Sequence, residues 1–326
     1  MKKWIFILSG LLAIQLILTA AVTLTGEDYE AFQAEEKVLS FDKKEVDGLR
    51  IEDGTDSVSL KKQEGKWLLP ESSDFPANQS SVEQLLGKLA TLKKGWPVAK
   101  TRSALRRFKV DEEQFERKLV LLSGDEAQAT LYVGTSPGFR KVHIRPANGD
   151  EVYAVMFNTW DAAAKADEWI DKDVLTLEES DLVRVEIPGV VLHWKDGKPK
   201  VADLGEKEQT NEKESRSLLG KLTKLRIQSV LGTEIKPEYR QDEPALEVKI
   251  TRKGGEVLNY RFSKSEDASY YILKRSDLDH YFKVAEYTLN PIKETTREKL
   301  VQATSEETSS EPTKDKGVEK KSSARP

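Results

Sequence analysis

Leu85-Leu86-Gly87-Lys88-Leu89-Ala90-Thr91-Leu92 returns as Leu218-Leu219-Gly220-Lys221-Leu222-Thr223-Lys224-Leu225, with six of eight positions identical at an offset of 133. With Val82, the apolar positions 82, 85, 86, 89 and 92 share one face of a helix. Asn78 and Asn211 each stand seven residues before their stretch. Asn is a favoured N-cap because its side-chain oxygen accepts an otherwise unpaired N–H of the first helical turn. Gly87 and Gly220 fall inside the two helices, where Gly costs about 1 kcal/mol relative to Ala. They are read as points where another element approaches closely. A cap, a glycine and a leucine set repeated at one offset point to an internal duplication.

Outward from the first helix, Leu49 and Ile51, Val58 and Leu60, and Trp67 and Leu69 alternate with polar neighbours, with turns at Asp53-Gly54 and Glu64-Gly65. This predicts a three-stranded meander ahead of the helix. After it come a short helical stretch near 111–117, strands over 119–122, 129–133, 142–145 and 152–157, and a helix over 159–170 anchored by Trp160 and Trp169. The second copy repeats the order. Leu182-Val183-Arg184-Val185 answers Gly48-Leu49-Arg50-Ile51, and 190–194 with a weak strand near Val201 completes the meander around Asp196-Gly197. Strands follow over 246–250, 257–262, 270–273 and 281–284. Hairpin connections rather than crossover helices disfavour a parallel sheet.

The 326 residues carry a formal net charge of −4, with charged residues making up 33% and both signs interspersed. No basic face marks a nucleic-acid partner. The absence of cysteine removes disulfides, thiol nucleophiles, zinc–thiolate sites and lipoprotein acylation. Trp4 to Gly26 runs 23 residues without a charge, about 35 Å as a helix and enough to span a bilayer core. Lys2 and Lys3 precede it and Glu27-Asp28-Tyr29-Glu30 follow, so the positive-inside bias leaves the N-terminus cytoplasmic and the bulk of the chain extracytoplasmic. Thr19-Ala20-Ala21 offers a signal-peptide cleavage site, but Val22 and Leu24 continue the apolar run past it. A retained anchor is expected. From Lys293 to Pro326 aromatics vanish and Ser, Thr, Glu and Lys dominate, too little apolar surface to offset ordering entropy.

The fold class expected is therefore α+β: an N-terminal transmembrane helix, then two repeated units, each an antiparallel sheet with a Leu-rich helix packed on one face. The boundaries are an anchor at 1–26, a juxtamembrane segment at 27–44, copy one at 45–175, copy two at 176–292 and a disordered charged tail at 293–326.

Chemistry is sparse. His143, His193 and His280 are isolated in sequence, and no pair has metal-ligand spacing. Gly134-Thr135-Ser136-Pro137-Gly138 matches the G-x-S-x-G elbow in letters, but strand alternation resumes at Val142 where the elbow needs a helix. A hairpin loop is the better reading. Glu35-Glu36, Asp111-Glu112-Glu113 and Glu178-Glu179 lie in polar stretches that offer no desolvated pocket for a general acid. Gly254-Gly255 reads as a hairpin turn rather than a phosphate loop. Trp67, Trp96, Trp194, Tyr270 and Tyr271 are suited to stacking on sugars or bases, and at strand spacing they are read as core. No catalytic, cofactor-binding or metal-ligating set is expected, and no cofactor.

Val46-Asp47-Gly48-Leu49-Arg50-Ile51, Gly65-Lys66-Trp67-Leu68-Leu69, Phe75-Pro76-Ala77-Asn78 with the helix from Val82, and Val133-Gly134 before a loop form a pattern over roughly residues 40 to 290. It resembles the bacterial domain-of-unknown-function family numbered forty-three forty. The second copy departs from it at Lys198-Pro199-Lys200-Val201, where the Trp-Leu-Leu of the first is missing. The resemblance implies a membrane-tethered extracytoplasmic protein without assigned activity, often encoded beside gliding-motility-type ABC transporters. The function expected is a non-enzymatic module of the bacterial inner membrane, single-pass, serving an ABC-type permease complex. The alternative is a periplasmic binding module for cell-envelope glycan or peptide.

Overall fold

The computed structural model describes residues 10, 12–15, 36–195, 197–264 and 268–304. Among them, those of Met1–Val174, Arg226–Ile235 and His280–Val284 form one compact unit, and those of Leu175–Leu225, Lys236–Asp279 and Ala285–Pro326 another. The chain is a mixed α+β protein dominated by antiparallel sheets, with few helices. Residues 10 and 12–15 are helical. The rest of the expected anchor, and residues 27–35, lie outside the described residues. No helix among the described residues is long and apolar enough to cross a membrane.

The first sheet has nine strands: β1 (Gly48–Glu52), β2 (Ser57–Gln63), β3 (Lys66–Leu69), β4 (Phe75–Pro76), β5 (Pro97–Ala99), β6 (Arg117–Ser123), β7 (Glu126–Val133), β8 (Lys141–Pro146) and β9 (Val152–Met156), in the order β4-β3-β2-β1-β6-β7-β8-β9-β5. The second has eight: β10 (Leu182–Ile187), β11 (Val190–Lys195), β12 (Lys198–Val201), β14 (Ser229–Val230), β15 (Leu246–Arg252), β16 (Val257–Ser263), β17 (Tyr270–Arg275) and β18 (Tyr281–Ala285), in the order β12-β11-β10-β15-β16-β17-β18-β14. The two orders are the same except that the second sheet has no counterpart of β4. There β13 (Glu208–Thr210) pairs with β19 (Val301–Ala303) instead. Pro199 in β12 is tolerated because that strand is a sheet edge. Even a cross-strand pair recurs: Tyr132 faces Arg145 across β7 and β8, and Tyr260 faces Arg275 across β16 and β17. Both arginines are buried, with guanidinium carbons 4.6 and 5.6 Å from those tyrosine ring centres.

Helix α1 (Gln79–Thr91) follows β4, and the short helix α2 (Arg102–Arg107) follows β5. The Asn78 side chain accepts the Ser81 N–H at 3.0 Å, and Val82, Leu85, Leu86 and Leu89 are buried. Helix α3 (Glu212–Thr223) is built alike: Asn211 accepts the Glu214 N–H at 3.3 Å, and Leu218, Leu219 and Leu222 are buried. Each fully buried leucine contributes about 1.5–3 kcal/mol of transfer free energy. Gly87 and Gly220 correct their reading, because a Cβ at either would meet nothing within 4 Å. They are not contact points.

Three other expectations are corrected. Residues 111–116 form no helix: Asp111 accepts the Glu113 N–H through its own carboxylate, a local turn that competes with helical bonding. The helix in this region is α2. Residues 159–170 form two 3-10 turns, Thr159–Ala162 and Ala166–Glu168, because the extended Ala163 between them breaks the helix. Trp169 anchors this segment, buried and bonded through Nε1 to the Ala163 carbonyl, whereas Trp160 is 82% exposed. The charged tail does not start at Lys293. Helix α4 (Glu286–Lys293), helix α5 (Arg297–Leu300) and β19 run through Ala303, with Leu300 buried; residues 305–326 lie outside the described residues.

In both units a return segment closes over the helix start. Asn78 N–H donates to the Trp169 carbonyl beside an Ala77–Ile170 bridge, and Asn211 N–H donates to the Leu300 carbonyl beside the Thr210–Val301 pair.

Candidate functional site

Where the C-terminal half of α1 passes the start of β8 and the end of β9, the first unit holds a groove of about 800 Å³. Its lining carries five cations, Lys88, Lys93, Lys94, Arg140 and Lys141, against one carboxylate, Asp161. Lys88 is paired with Asp161 at 2.7 Å, and Lys94 with Glu36 at 2.6 Å. No ion pair among the described residues engages Lys93, Arg140 or Lys141. Arg140 holds a left-handed backbone, φ +56°, a conformation that costs a non-glycine residue of order 1 kcal/mol. Its carbonyl accepts the Phe157 N–H, and its guanidinium lies 4.8 Å from the Phe139 ring centre.

Large apolar side chains stand in water around these cations. Phe139 is 84% exposed, Trp96 67% and Met156 60%, and Trp160 stands beside Asp161. Trp160 and Trp169 also line a smaller cavity of about 160 Å³ that shares Lys88 and Asp161 with the groove. Trp96 therefore departs from the core expectation, while Trp67 and Tyr271 are core and Trp194 and Tyr270 are half-buried.

The counterpart of this groove in the second unit is filled. Helix α4 packs against α3 and β17, with Leu289 and Ile292 buried, and Asn290 accepts a hydrogen bond from the Tyr271 hydroxyl at 3.1 Å. Glu286 pairs with Lys264 beside it. In the first unit the corresponding chain makes only the 3-10 turn 159–162.

The residues weighed from sequence lie elsewhere. Ser136 sits in the β7–β8 turn, where its hydroxyl is placed to donate to the Gly138 and Lys141 carbonyls at 2.8 and 2.7 Å. No helix follows it. His143 is buried in β8, stacked 4.1 Å from Phe108, and its Nδ1 donates to the Thr135 carbonyl; burial holds its imidazole below the usual range. His280 meets Phe75 edge to face with ring centres 5.0 Å apart and points Nε2 at the Ser72 and Ser73 carbonyls. His193 is half-buried on β11. Among the described residues no group of three or more His, Asp or Glu is placed to hold a metal ion. Sequence reading missed the groove because three distant segments build it. The signal was present as aromatics beside basic residues in Lys93-Lys94-Gly95-Trp96 and Phe139-Arg140-Lys141.

The family described as domain of unknown function (DUF4340) matches residues 67–244, more than half of the chain. The chain belongs to the DUF4340 family. The DUF4340 match takes in α1, α3 and every groove residue from Lys88 to Asp161. It also takes in Gly134, where a Cβ would stand 2.0 Å from the Phe108 carbonyl oxygen, so only glycine fits. Neither a curated protein nor a solved structure matches the chain.

Proposed function

We propose that this DUF4340 protein is a non-enzymatic module, anchored in the bacterial inner membrane with its bulk outside the cytoplasm, that docks as an accessory subunit on an ABC-type transport complex. The two sheets, each with its capped helix, are read as duplicated copies of one scaffold, the shared strand order and paired caps being the support. The observation that carries the docking reading is the open groove of the first unit: cations line it and the exposed Trp96, Phe139 and Trp160 adjoin lining residues in the chain, while the second copy fills the same place with its own helix. Exposed aromatics next to cations without an ion pair among the described residues are the composition of binding surfaces rather than of solvated ones. The partner class comes from the family resemblance and the uncharged Trp4–Gly26 stretch.

Full-length chain solubilised from native membranes in mild detergent should carry an ABC-type permease with it. Its bulk should be digested by protease added to spheroplasts. Recovery free of any transporter component, together with saturable binding of cell-envelope glycan or peptide by the purified chain, would instead support the binding-module alternative, for which Trp96 and Trp160 offer stacking faces.

A further inference from the structure

The geometry points to the groove of the first unit as a membrane-facing site for the headgroups of anionic phospholipids, with Phe139, Met156 and Trp160 entering the interfacial layer beside it. This goes beyond docking on a protein and rests on the anchored reading above.

Three observations converge. First, the local charge opposes that of the chain. The protein carries −4 overall, yet the groove sets five cations against Asp161, and Lys93, Arg140 and Lys141 have no ion pair among the described residues. Basic side chains next to a membrane surface are each drawn to anionic lipid. Second, the apolar residues at the rim are of the interfacial kind. Tryptophan favours the headgroup level, and phenylalanine or methionine beside cations adds buried apolar area. Phe139 and Trp160 are the two large groove-side residues left most open to water, at 84% and 82%.

Third, the tether ends at this groove. Val38 N–H donates to the Leu92 carbonyl and Lys94 N–H donates to the Glu36 carbonyl, so the chain enters the unit along the groove wall. The uncharged stretch ends at Gly26, leaving residues 27–35 between. Nine residues reach at most about 30 Å, which confines this wall to the neighbourhood of the bilayer and raises its effective concentration there. An acidic segment of a partner protein would satisfy the cations as well. It gives no reason for the groove to stand where the tether ends, and lipid does.

The chain has no cysteine, so Met156→Cys provides a single labelling position on the groove. Full-length chain carrying a polarity-sensitive fluorophore there would be reconstituted in phosphatidylcholine vesicles, with and without phosphatidylglycerol. A matching label at Tyr287→Cys, equally exposed but in the second unit, serves as reference. The Met156 label should shift to the blue only in the anionic vesicles, the shift should vanish at high salt, and the Tyr287 label should not respond. Replacing Lys93, Arg140 and Lys141 together by Gln should lower the docked-to-free ratio on the order of a hundredfold. Salt reversal of the unsubstituted chain gives the same answer without relying on that variant's folding. Chains that fail to float with either vesicle overturn the anchored reading and this inference with it. Chains that float, but whose Met156 label reads the same in both lipids, overturn this inference alone, and so does a shift seen only when a partner protein is added.

Discussion

The two helices α1 and α3 begin with the same cap and bury the same leucines, yet they meet different surroundings. Beside α3 the chain lays α4, with Leu289 and Ile292 buried. Beside α1 it makes a single 3-10 turn and leaves cations and aromatics in water. A sheet-and-helix scaffold of this kind has one place it must fill to close its core. Filling it from within gives stability, and leaving it open gives a surface. A smaller contrast repeats the lesson: at the end of β7, Gly134 lies against the Phe108 carbonyl, and at the end of β16 the Ser263 hydroxyl donates to the Tyr239 carbonyl. Phe108 and Tyr239 each precede a left-handed residue, Lys109 at φ +54° and Arg240 at φ +47°. The corresponding corner is closed by contact in one sheet and by a hydrogen bond in the other.

The largest effect should come from emptying the filled groove. Leu289→Ala removes a side chain with no exposed surface and should cost about 2–5 kcal/mol in urea unfolding. Trp160→Ala, at the corresponding edge of the open groove, should change stability by less than about 0.5 kcal/mol while weakening docking. Equal losses from the two would break the comparison. Next in size, Gly134→Ala places a methyl group against backbone that has no room for it, at a cost of about 3 kcal/mol. Ser263→Ala should cost about 2 kcal/mol, because the hydroxyl both donates to the Tyr239 carbonyl and accepts from the buried Gln241 side-chain amide. Thermal unfolding of the pair settles whether the corner differs as described.

How much of this was legible follows the range of the interactions. The caps, the leucine faces and the hairpin glycines are local, and spacing alone carried them: Asn78, Asn211 and the Gly254-Gly255 turn stand where they were expected. Residues 159–170 have helix-compatible composition, but their backbone is committed elsewhere, to the Asn78 N–H and the Ala77–Ile170 bridge. Tertiary pairing overrides propensity there. The edge strands β5 and β14 span only three and two residues, too few for alternation to register. The groove could not be read at all from one stretch, since its walls come from residues 88–95, 140–141 and 154–161.

The caps provide a finer test of likeness. Asn78→Ala and Asn211→Ala should each cost about 1 kcal/mol, measured by chemical denaturation. A cost confined to one would mean that the helices are not built alike. The smallest effect is electrostatic. At one turn in from the cap, α1 carries Glu83 facing Lys43 and Lys62, and α3 carries Arg216 facing Glu179 and Glu212. The hydrogen bond from Lys43, opposed by partial burial and aided by the Trp67 indole N–H, holds the Glu83 carboxyl below its ordinary 4.5. Its contribution is then complete above pH 4.5 and lost as pH falls through the lowered folded value. The pair is partly exposed, so the change should stay under about 1 kcal/mol. Glu83→Gln should flatten that acid limb in urea titrations, and an unchanged slope would remove this pair from the account.

The difference between the open and the filled groove is tested most directly by placing one photo-reactive side chain at Phe139 and, separately, one at Tyr287 in full-length chain in native membranes. Both positions are exposed to the same degree. Phe139 should give abundant adducts to membrane components and Tyr287 few. Equal yields from the two positions, or none from Phe139, would contradict a scaffold that keeps one copy open for docking.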